Sequence, residues 1–279
     1  MENTANSKSP SPEEISAHYA SGYEKQRLDI SSGQLERTRT IELLKRLLPA
    51  APATILDVGG GPGGYACDLA AQGYKVHLID IVPVHIEQAK KASESQPHAP
   101  LAGAEVGDAR SLTHGKESVD AVLLFGPLYH LTSKADRLQT LREAHRVLKR
   151  EGVLLAVGIS RFASTMDGLR RGLLKDPQFG EIAKQDLVDG QHHNSTGNPE
   201  YFMDTFFHHP DELRDEVAAA GFRISGLYGI EGPCWLMHDF DDWWNTAELR
   251  ERLLQIARDV ESEAALIGVS AHILVAAHK

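Results

Sequence analysis

The run Ile55-Leu56-Asp57-Val58-Gly59-Gly60-Gly61-Pro62-Gly63-Gly64 leads from an apolar stretch into a glycine-rich turn. Glycines let a backbone adopt positive φ and approach a ligand closely, and a helix starting there offers free N–H groups. A nucleoside-containing cofactor is the natural ligand for such a turn. Gly59, Gly61 and Gly64 also satisfy the G-x-G-x-x-G spacing of dinucleotide sites, which keeps a nicotinamide oxidoreductase open. Asp57 argues against it, because a carboxylate at that point faces a pyrophosphate unfavourably and suits a cationic ammonium group. Proton transfer would fall to histidine, since a neutral imidazole can take a proton from a hydroxyl or ammonium nucleophile near neutral pH. Of the 14 histidines, His130, His192 and His193 are the candidate general bases. His192-His193 and His208-His209 are adjacent pairs, and neighbouring side chains on a strand point to opposite faces. With no C-x-x-C or H-x-x-x-H framework, no metal is expected.

These residues need elements to hold them. Apolar runs alternate with helical periodicity, the pattern of βαβ units feeding a parallel sheet. Strands are expected at residues 54–58 (TILDV), 75–79 (KVHLI), 101–106, 121–125 (AVLLF) and 153–159 (VLLAVGI), with helices at 64–72, 85–94 and 136–149. A helix over 34–48 carries Ile41, Leu44 and Leu48 on one stripe and stops at Pro49. Ahead of it, Tyr19, Tyr23 and Arg27 recur at i, i+4, i+8 and so share one helical face. Residues 161–209 break the rhythm with polar, His-rich and Asn-rich stretches, and a long insertion in a compact fold is usually functional. We read it as a lid. Beyond it come a helix over 210–220 ended by Gly221, a strand over 222–229, a helical segment over 239–263 and a last strand over 272–277.

The glycine turn and its surroundings resemble the class I S-adenosylmethionine-dependent methyltransferases, whose first motif is an acidic residue followed by G-x-G-x-G, here Asp57-Val58-Gly59-Gly60-Gly61-Pro62-Gly63. The resemblance implies further roles by position. Asp80, ending KVHLID and followed by Ile81, falls where the family's acidic residue takes both ribose hydroxyls, and one carboxylate can accept two such donors. Asp108-Ala109 in EVGDARSL falls where an Asp faces the adenine amino group, and the fourth-strand exit, Phe125-Gly126-Pro127-Leu128-Tyr129-His130-Leu131, leads to the reacting methyl. Tyr19, Tyr23 and Arg27 match the N-terminal helix that caps the cofactor in many members. The resemblance covers about residues 50 to 160 and is weaker outside them. It implies a doubly wound, mostly parallel seven-stranded α/β sheet in a single domain over 14–279, with a helical cap over 14–49 and the lid over 161–209. S-adenosylmethionine would be the cofactor and S-adenosylhomocysteine its product. The acceptor is expected to be a small molecule with an oxygen or nitrogen nucleophile, held by Tyr129, His130, Arg161, His192, His193 and Tyr201. A non-catalytic cofactor-binding protein on the same fold stays open.

Composition narrows the partners. With 29 Lys+Arg against 39 Asp+Glu the formal net charge of this 279-residue chain is −10, which disfavours nucleic acid. The exit Phe125-Gly126-Pro127-Leu128 departs from the Asn/Asp-Pro-Pro-Tyr of adenine and glutamine-amide methyltransferases, and Gly126 cannot supply a metal-binding carboxylate as catechol-type enzymes require. Cys67 and Cys234 are too few for a disulfide framework or for arsenic chemistry and suit a reducing cytoplasm. The start, MENTANSKSPSPEE, reads as a flexible polar arm over 1–13 rather than a signal peptide, and no window is apolar enough to span a membrane. Trp235, Trp243 and Trp244 suit a buried core, an apolar pocket or a subunit contact such as a homodimer's.

Overall fold

The computed structural model describes Ser9, Ser11, Glu14, Ile15, Leu28 and residues 31–279. Tyr19, Tyr23 and Arg27 therefore lie outside the described residues, as does most of the arm over 1–13. Ser9, within that arm, is buried, and its hydroxyl donates to Asp136 Oδ2 at 2.8 Å.

Helix α1 (Gly33–Leu47) ends where expected, because Leu48 precedes a proline and is pushed to extended backbone, ψ 151°. Then come β1 (Thr54–Val58), α2 (Gly64–Ala71), β2 (Lys75–Asp80), α3 (Pro83–Glu94), β3 (Gly103–Val106), β4 (Val119–Leu124), the short α4 (Pro127–His130), α5 (Lys134–Val147) and β5 (Leu148–Ser160). After the insertion, α8 (Pro210–Ala219) opens with Pro210 at its first position and His209 accepting from the Asp211 amide. It is followed by β8 (Arg223–Gly229) and β9 (His272–His278). Strands β3-β2-β1-β4-β5 are parallel neighbours; β9 adds antiparallel to β5 and β8 antiparallel to β9, which gives the seven expected strands, and two short strands from the insertion extend the sheet to nine.

Successive residues on a strand face opposite sides, so each central strand feeds two cores. Leu56, Val122, Leu124 and Leu154 pack with Leu141 of α5 and with Leu213 and Val217 of α8. Ile55, Ala121, Leu123 and Leu155 pack on the other face with Leu43 and Leu44 of α1, Leu69 of α2 and Ile86 of α3.

The segment 161–209 is built rather than loose. It folds as α6 (Ala163–Arg171), α7 (Pro177–Asp189), β6 (Gln191–His192) and β7 (Thr205–His208), with a small core of Phe179, Ala183 and Tyr201. β9 occupies one edge of β5 along residues 153–159, while β4 stops pairing at Ala156 on the other edge. The last residues of β5, Ile159 and Ser160, therefore have a free edge, and β7 takes it in parallel. The expected helix over 239–263 is two helices, α9 (Phe240–Asn245) and α10 (Ala247–Val260), broken by Thr246 in extended conformation, ψ 114°. Trp235 and Trp244 are buried; the Trp244 ring stacks on Phe240 at 5.4 Å and packs with Leu253 and Leu254, so it belongs to a core. Cys67 and Cys234 are free and buried. Among the described residues no helix is long and apolar enough to cross a membrane.

Candidate active site

Parallel strands leave a crevice outside their carboxyl ends, and two clefts among the described residues open there. The end of β1 turns through Gly59 and Gly61 at φ +74° and +56°, a region open to glycine at little cost, before α2 begins. The Gly59 amide donates to Ile79 O at 2.7 Å and the Gly61 amide to Asp80 Oδ2 at 2.8 Å, tying the turn to β2. A side chain at Gly61 would point into open space, so its backbone edges the cleft. Gly63 lines neither cleft; it lies against Ala89 and lets α2 approach α3.

One cleft, of about 750 Å³, is lined by Gly59, Gly61, Asp80, Ile81, Asp108, Ala109, Tyr129 and His130 among others. Asp80 is 6% exposed; besides Gly61 it accepts from the Val82 amide at 2.8 Å and sits 3.2 Å from His85 Nδ1. Two carboxylate oxygens offer about four lone-pair directions, which leaves room for ligand hydroxyls. Asp108 is paired with Arg110 (Nη2 to Oδ2, 2.6 Å), and that guanidinium also reaches Asp136 at 3.2 Å. Although burial pushes the Asp108 carboxyl up, the hydrogen bonds and charge of Arg110 outweigh it and hold the group below its ordinary value. Asp108 therefore stays an ionised acceptor.

The second cleft, of about 960 Å³, shares Gly59, Gly61 and Tyr129 with the first and continues past Asp57, Tyr65, Phe125, Val157, Ile230, Glu36 and His272. Tyr65 meets Phe125 edge to face at 5.8 Å. Asp57 is 1% exposed, and its Oδ2 is buried with no hydrogen-bond partner. Burial, and then the negative charge of Asp80, push its carboxyl up to about 7. A buried acceptor without a donor is costly unless a ligand supplies one, and a cation is the ligand that would restore its ionisation. Gly60 is the guard of this position, since a Cβ there would stand 2.6 Å from Asp57 Oδ2 and 2.9 Å from Leu78 Cδ1. Gly60→Ala is expected to lower affinity for S-adenosylhomocysteine tenfold or more by calorimetry, with about 1–3 kcal/mol of overpacking cost in thermal unfolding; unchanged affinity would separate Asp57 from the ligand.

The structure brings Asp57, Gly59, Gly61, Asp80, Ile81, Asp108, Ala109, Phe125, Tyr129 and His130 to the two clefts. It does not bring His192, His193, Arg161 or Tyr201 there. His192 is 1% exposed with both ring nitrogens engaged, Nδ1 at 2.8 Å from Asp186 Oδ2 and Nε2 at 2.6 Å from Tyr201 O, so it holds the insertion together. His193 points the other way, exposed, 2.6 Å from Asp204. Tyr201 donates its hydroxyl to Asp176 at 2.6 Å from within the insertion core, and Arg161 pairs with Glu212 at 2.6 Å. The sequence reading missed Glu36, Glu231 and His272, the cluster of metal-ligand type among the described residues, whose atoms lie within 4.8 Å of one another. His272 could be seen as the start of a strand; that this start lies over the cleft depends on β9 running antiparallel to β5, with Ile159 opposite His272.

A doubly wound sheet whose first strand enters a glycine turn beneath a buried carboxylate, with further carboxylates after the second and third strands, defines a Rossmann-like methyltransferase fold. Residues 56–156 match the methyltransferase domain family, and the fold around them is that of the class I S-adenosylmethionine-dependent methyltransferases. The chain is 26% identical over 216 residues to the tRNA 5-carboxymethoxyuridine methyltransferase of Escherichia coli K12, covering 75% of this chain and 74% of that protein. Among solved structures it resembles an S-adenosylmethionine-dependent methyltransferase of Methanosarcina mazei, with 21% identity, TM-score 0.58 and coverage of 85% and 96%. It also resembles the [4+2]-cyclase SpnF, with 15% identity, TM-score 0.62 and coverage of 98% of both chains. At such identities these structures speak for the fold alone.

Proposed function

We propose that the protein transfers the methyl group of S-adenosylmethionine to an oxygen or nitrogen of a small-molecule acceptor. The observation that carries this reading is the junction of the two clefts at Gly59, Gly61 and Tyr129, with Asp80 and Asp108 along one arm and, on the other, the buried carboxylate of Asp57, whose Oδ2 has no hydrogen-bond partner. Asp80 and Asp108 suit a ribose and an adenine amino group, while Asp57 suits an ammonium group. When bound, the sulfonium supplies an electrophilic methyl group. The chain's own part is to orient, to exclude water and to manage the acceptor's proton, which are the main levers for an in-line displacement. Phe125, Tyr65, Tyr129, Val157 and Ile230 give the second arm an apolar, aromatic wall that fits a small acceptor. The net charge of −10 supports the same choice.

The tRNA-modifying relative favours a second reading, in which the acceptor is a nucleotide in RNA. One experiment distinguishes them. Calorimetry is expected to show micromolar binding of S-adenosylhomocysteine and S-adenosylmethionine and none of NADH, with affinity lowered at least 100-fold in Asp80→Ala, which removes the carboxylate and strands the Gly61 and Val82 amides. Label from tritiated S-adenosylmethionine, offered with a deproteinised metabolite extract and with bulk tRNA, is then expected in the metabolite fraction. Label in tRNA would replace the small-molecule reading, and binding of NADH alone would overturn both.

A further inference from the structure

We propose that Arg110 is a positioning residue for the cofactor's base: it fixes the Asp108 carboxylate in one orientation, and Asp136, itself bonded by the Ser9 hydroxyl, fixes Arg110 in turn. The inference rests on the methyl-transfer reading above, which puts the adenine amino group at Asp108, and adds the residues that set how that group is read.

The first link is local. Three donors of Arg110 meet one carboxylate: the backbone amide reaches Asp108 Oδ1 at 2.9 Å, Nε lies between Oδ1 and Oδ2 at 3.0 and 3.1 Å, and Nη2 reaches Oδ2 at 2.6 Å. A carboxylate has about four lone-pair directions, so this grip leaves roughly one for a ligand. A single remaining acceptor in a fixed direction suits one N–H donor, such as an amino group on a purine ring. The planar fork of a guanidinium can hold both oxygens at once, which the point charge of a lysine cannot do.

The second link runs to α5. Asp136, Gln139 and Glu143 recur at i, i+3 and i+7 on that helix and so share a face. Each holds the turn after β3: Asp136 Oδ2 accepts from Arg110 Nη1 at 3.2 Å, Gln139 Nε2 donates to the Arg110 carbonyl at 3.3 Å, and Glu143 Oε2 accepts from the Leu112 amide at 2.9 Å. The third link leaves the sheet. The Ser9 hydroxyl donates to the same Asp136 oxygen at 2.8 Å and accepts from the Ser133 amide at 3.2 Å. Beyond it, Ser11 and Glu14 cap each other reciprocally, the Ser11 amide donating to Glu14 Oε2 at 2.7 Å and the Glu14 amide to Ser11 Oγ at 3.2 Å. Ile15, 6% exposed, then enters the wall of the cleft that carries Asp108 and Arg110. Without Arg110, the carboxylates of Asp108 and Asp136 lose the cation between them, and their mutual repulsion turns Asp108 out of its fixed direction.

The test reads discrimination between two ligands and needs no identified acceptor. The 6-deamino analogue of S-adenosylhomocysteine, with hydrogen in place of the amino group, is the same ligand without that one donor. A hydrogen bond to a charged but partly exposed acceptor is worth roughly tenfold in affinity, so calorimetry of the wild type is expected to show S-adenosylhomocysteine bound about tenfold more tightly than the analogue. In Arg110→Gln most of that preference is expected to disappear, through weaker binding of S-adenosylhomocysteine and little change for the analogue. Asp136→Asn and Ser9→Ala change residues that do not line the cleft, and their preferences are expected to fall between, Asp136→Asn nearer to Arg110→Gln and Ser9→Ala nearer to wild type. A purely structural role would weaken both ligands by the same factor. A wild-type preference retained in Arg110→Gln would therefore overturn the positioning role while leaving methyl transfer standing, and so would a wild type that binds the two ligands equally. Failure of the wild type to bind S-adenosylhomocysteine at all would instead sink the methyl-transfer reading itself. If Arg110→Gln does not fold, Asp136→Asn decides, since it keeps both Arg110 and Asp108: an unchanged preference there refutes the chain of contacts.

Discussion

Replacing Asp57 by asparagine should make the ligand-free protein more stable at pH 8 and less able to bind its cofactor. The native carboxyl is pushed up to about 7 from an ordinary 3.8, by burial first and by Asp80 second. A raised carboxyl favours the protonated form in the fold, so its contribution to stability is intact below pH 3.8 and is lost as pH rises through about 7. The linkage cost at pH 8 is on the order of 4 kcal/mol. Asparagine cannot ionise and escapes that cost, but its buried amide lacks a partner where Oδ2 already had none, a penalty of about 1–3 kcal/mol. The net expectation is a gain of a few kcal/mol at pH 8 that vanishes or reverses near pH 5, where the native carboxyl is protonated. Binding should move oppositely, since a charge-assisted hydrogen bond to a cationic ligand is worth about 1.5–3 kcal/mol, or roughly 10- to 100-fold in affinity. Thermal unfolding at pH 5 and pH 8, with and without S-adenosylhomocysteine, measures both. A variant less stable at both pH values, or one that binds as well as wild type, would contradict the role given to this carboxylate.

The features that could be read from sequence are those whose causes are local. β1, β2, β4 and β5 are buried on both faces and appear as continuous apolar runs, and the glycine turn is specified by its own residues. Asp80 ends β2 and Asp108 stands two residues past β3, so assigning the strand assigned the residue. The insertion hid its structure because β7 exists only where β5 outruns β4, a non-local condition. His192 and Tyr201 have the right chemistry, but their direction is decided by the core around Phe179, which no spacing announces. His272 and Glu231 come together from the ends of antiparallel β8 and β9, with the Ser270 hydroxyl between them. Their pairing required the sheet order before either residue could be singled out.

The largest loss of stability should come from Glu216→Gln. Arg137 of α5 is 1% exposed and is gripped by Glu216 of α8, Nε to Oε2 at 2.9 Å and Nη2 to Oε1 at 2.7 Å. Its guanidinium lies 3.4 Å from the ring centroid of Phe206, and its Nη1 donates to the carbonyls of Leu131 and Thr132 at 2.9 Å each. Those carbonyls follow α4, which carries Tyr129 and His130, so this one charge ties the insertion strand β7, helix α8 and the cleft wall together. Burial pushes the Glu216 carboxyl up, but hydrogen bonds from His208 and Arg137 and their charges outweigh it and hold it at about 2. The carboxyl is depressed from 4.5, so the stability it contributes is present above pH 4.5 and is lost as pH falls through about 2, on the order of 3 kcal/mol in all. Glutamine keeps the shape and leaves Arg137 buried without its counter-charge, which costs about 3–5 kcal/mol, or on the order of 10 °C in Tm for a chain of this size. The gap between wild type and variant should narrow as pH falls below 4.5. Removing both charges together, in Arg137→Met with Glu216→Leu, should cost less than Glu216→Gln alone, because no unpaired ion is then left in the interior. A double variant as unstable as the sum of its single changes would show that the pair acts through shape rather than charge.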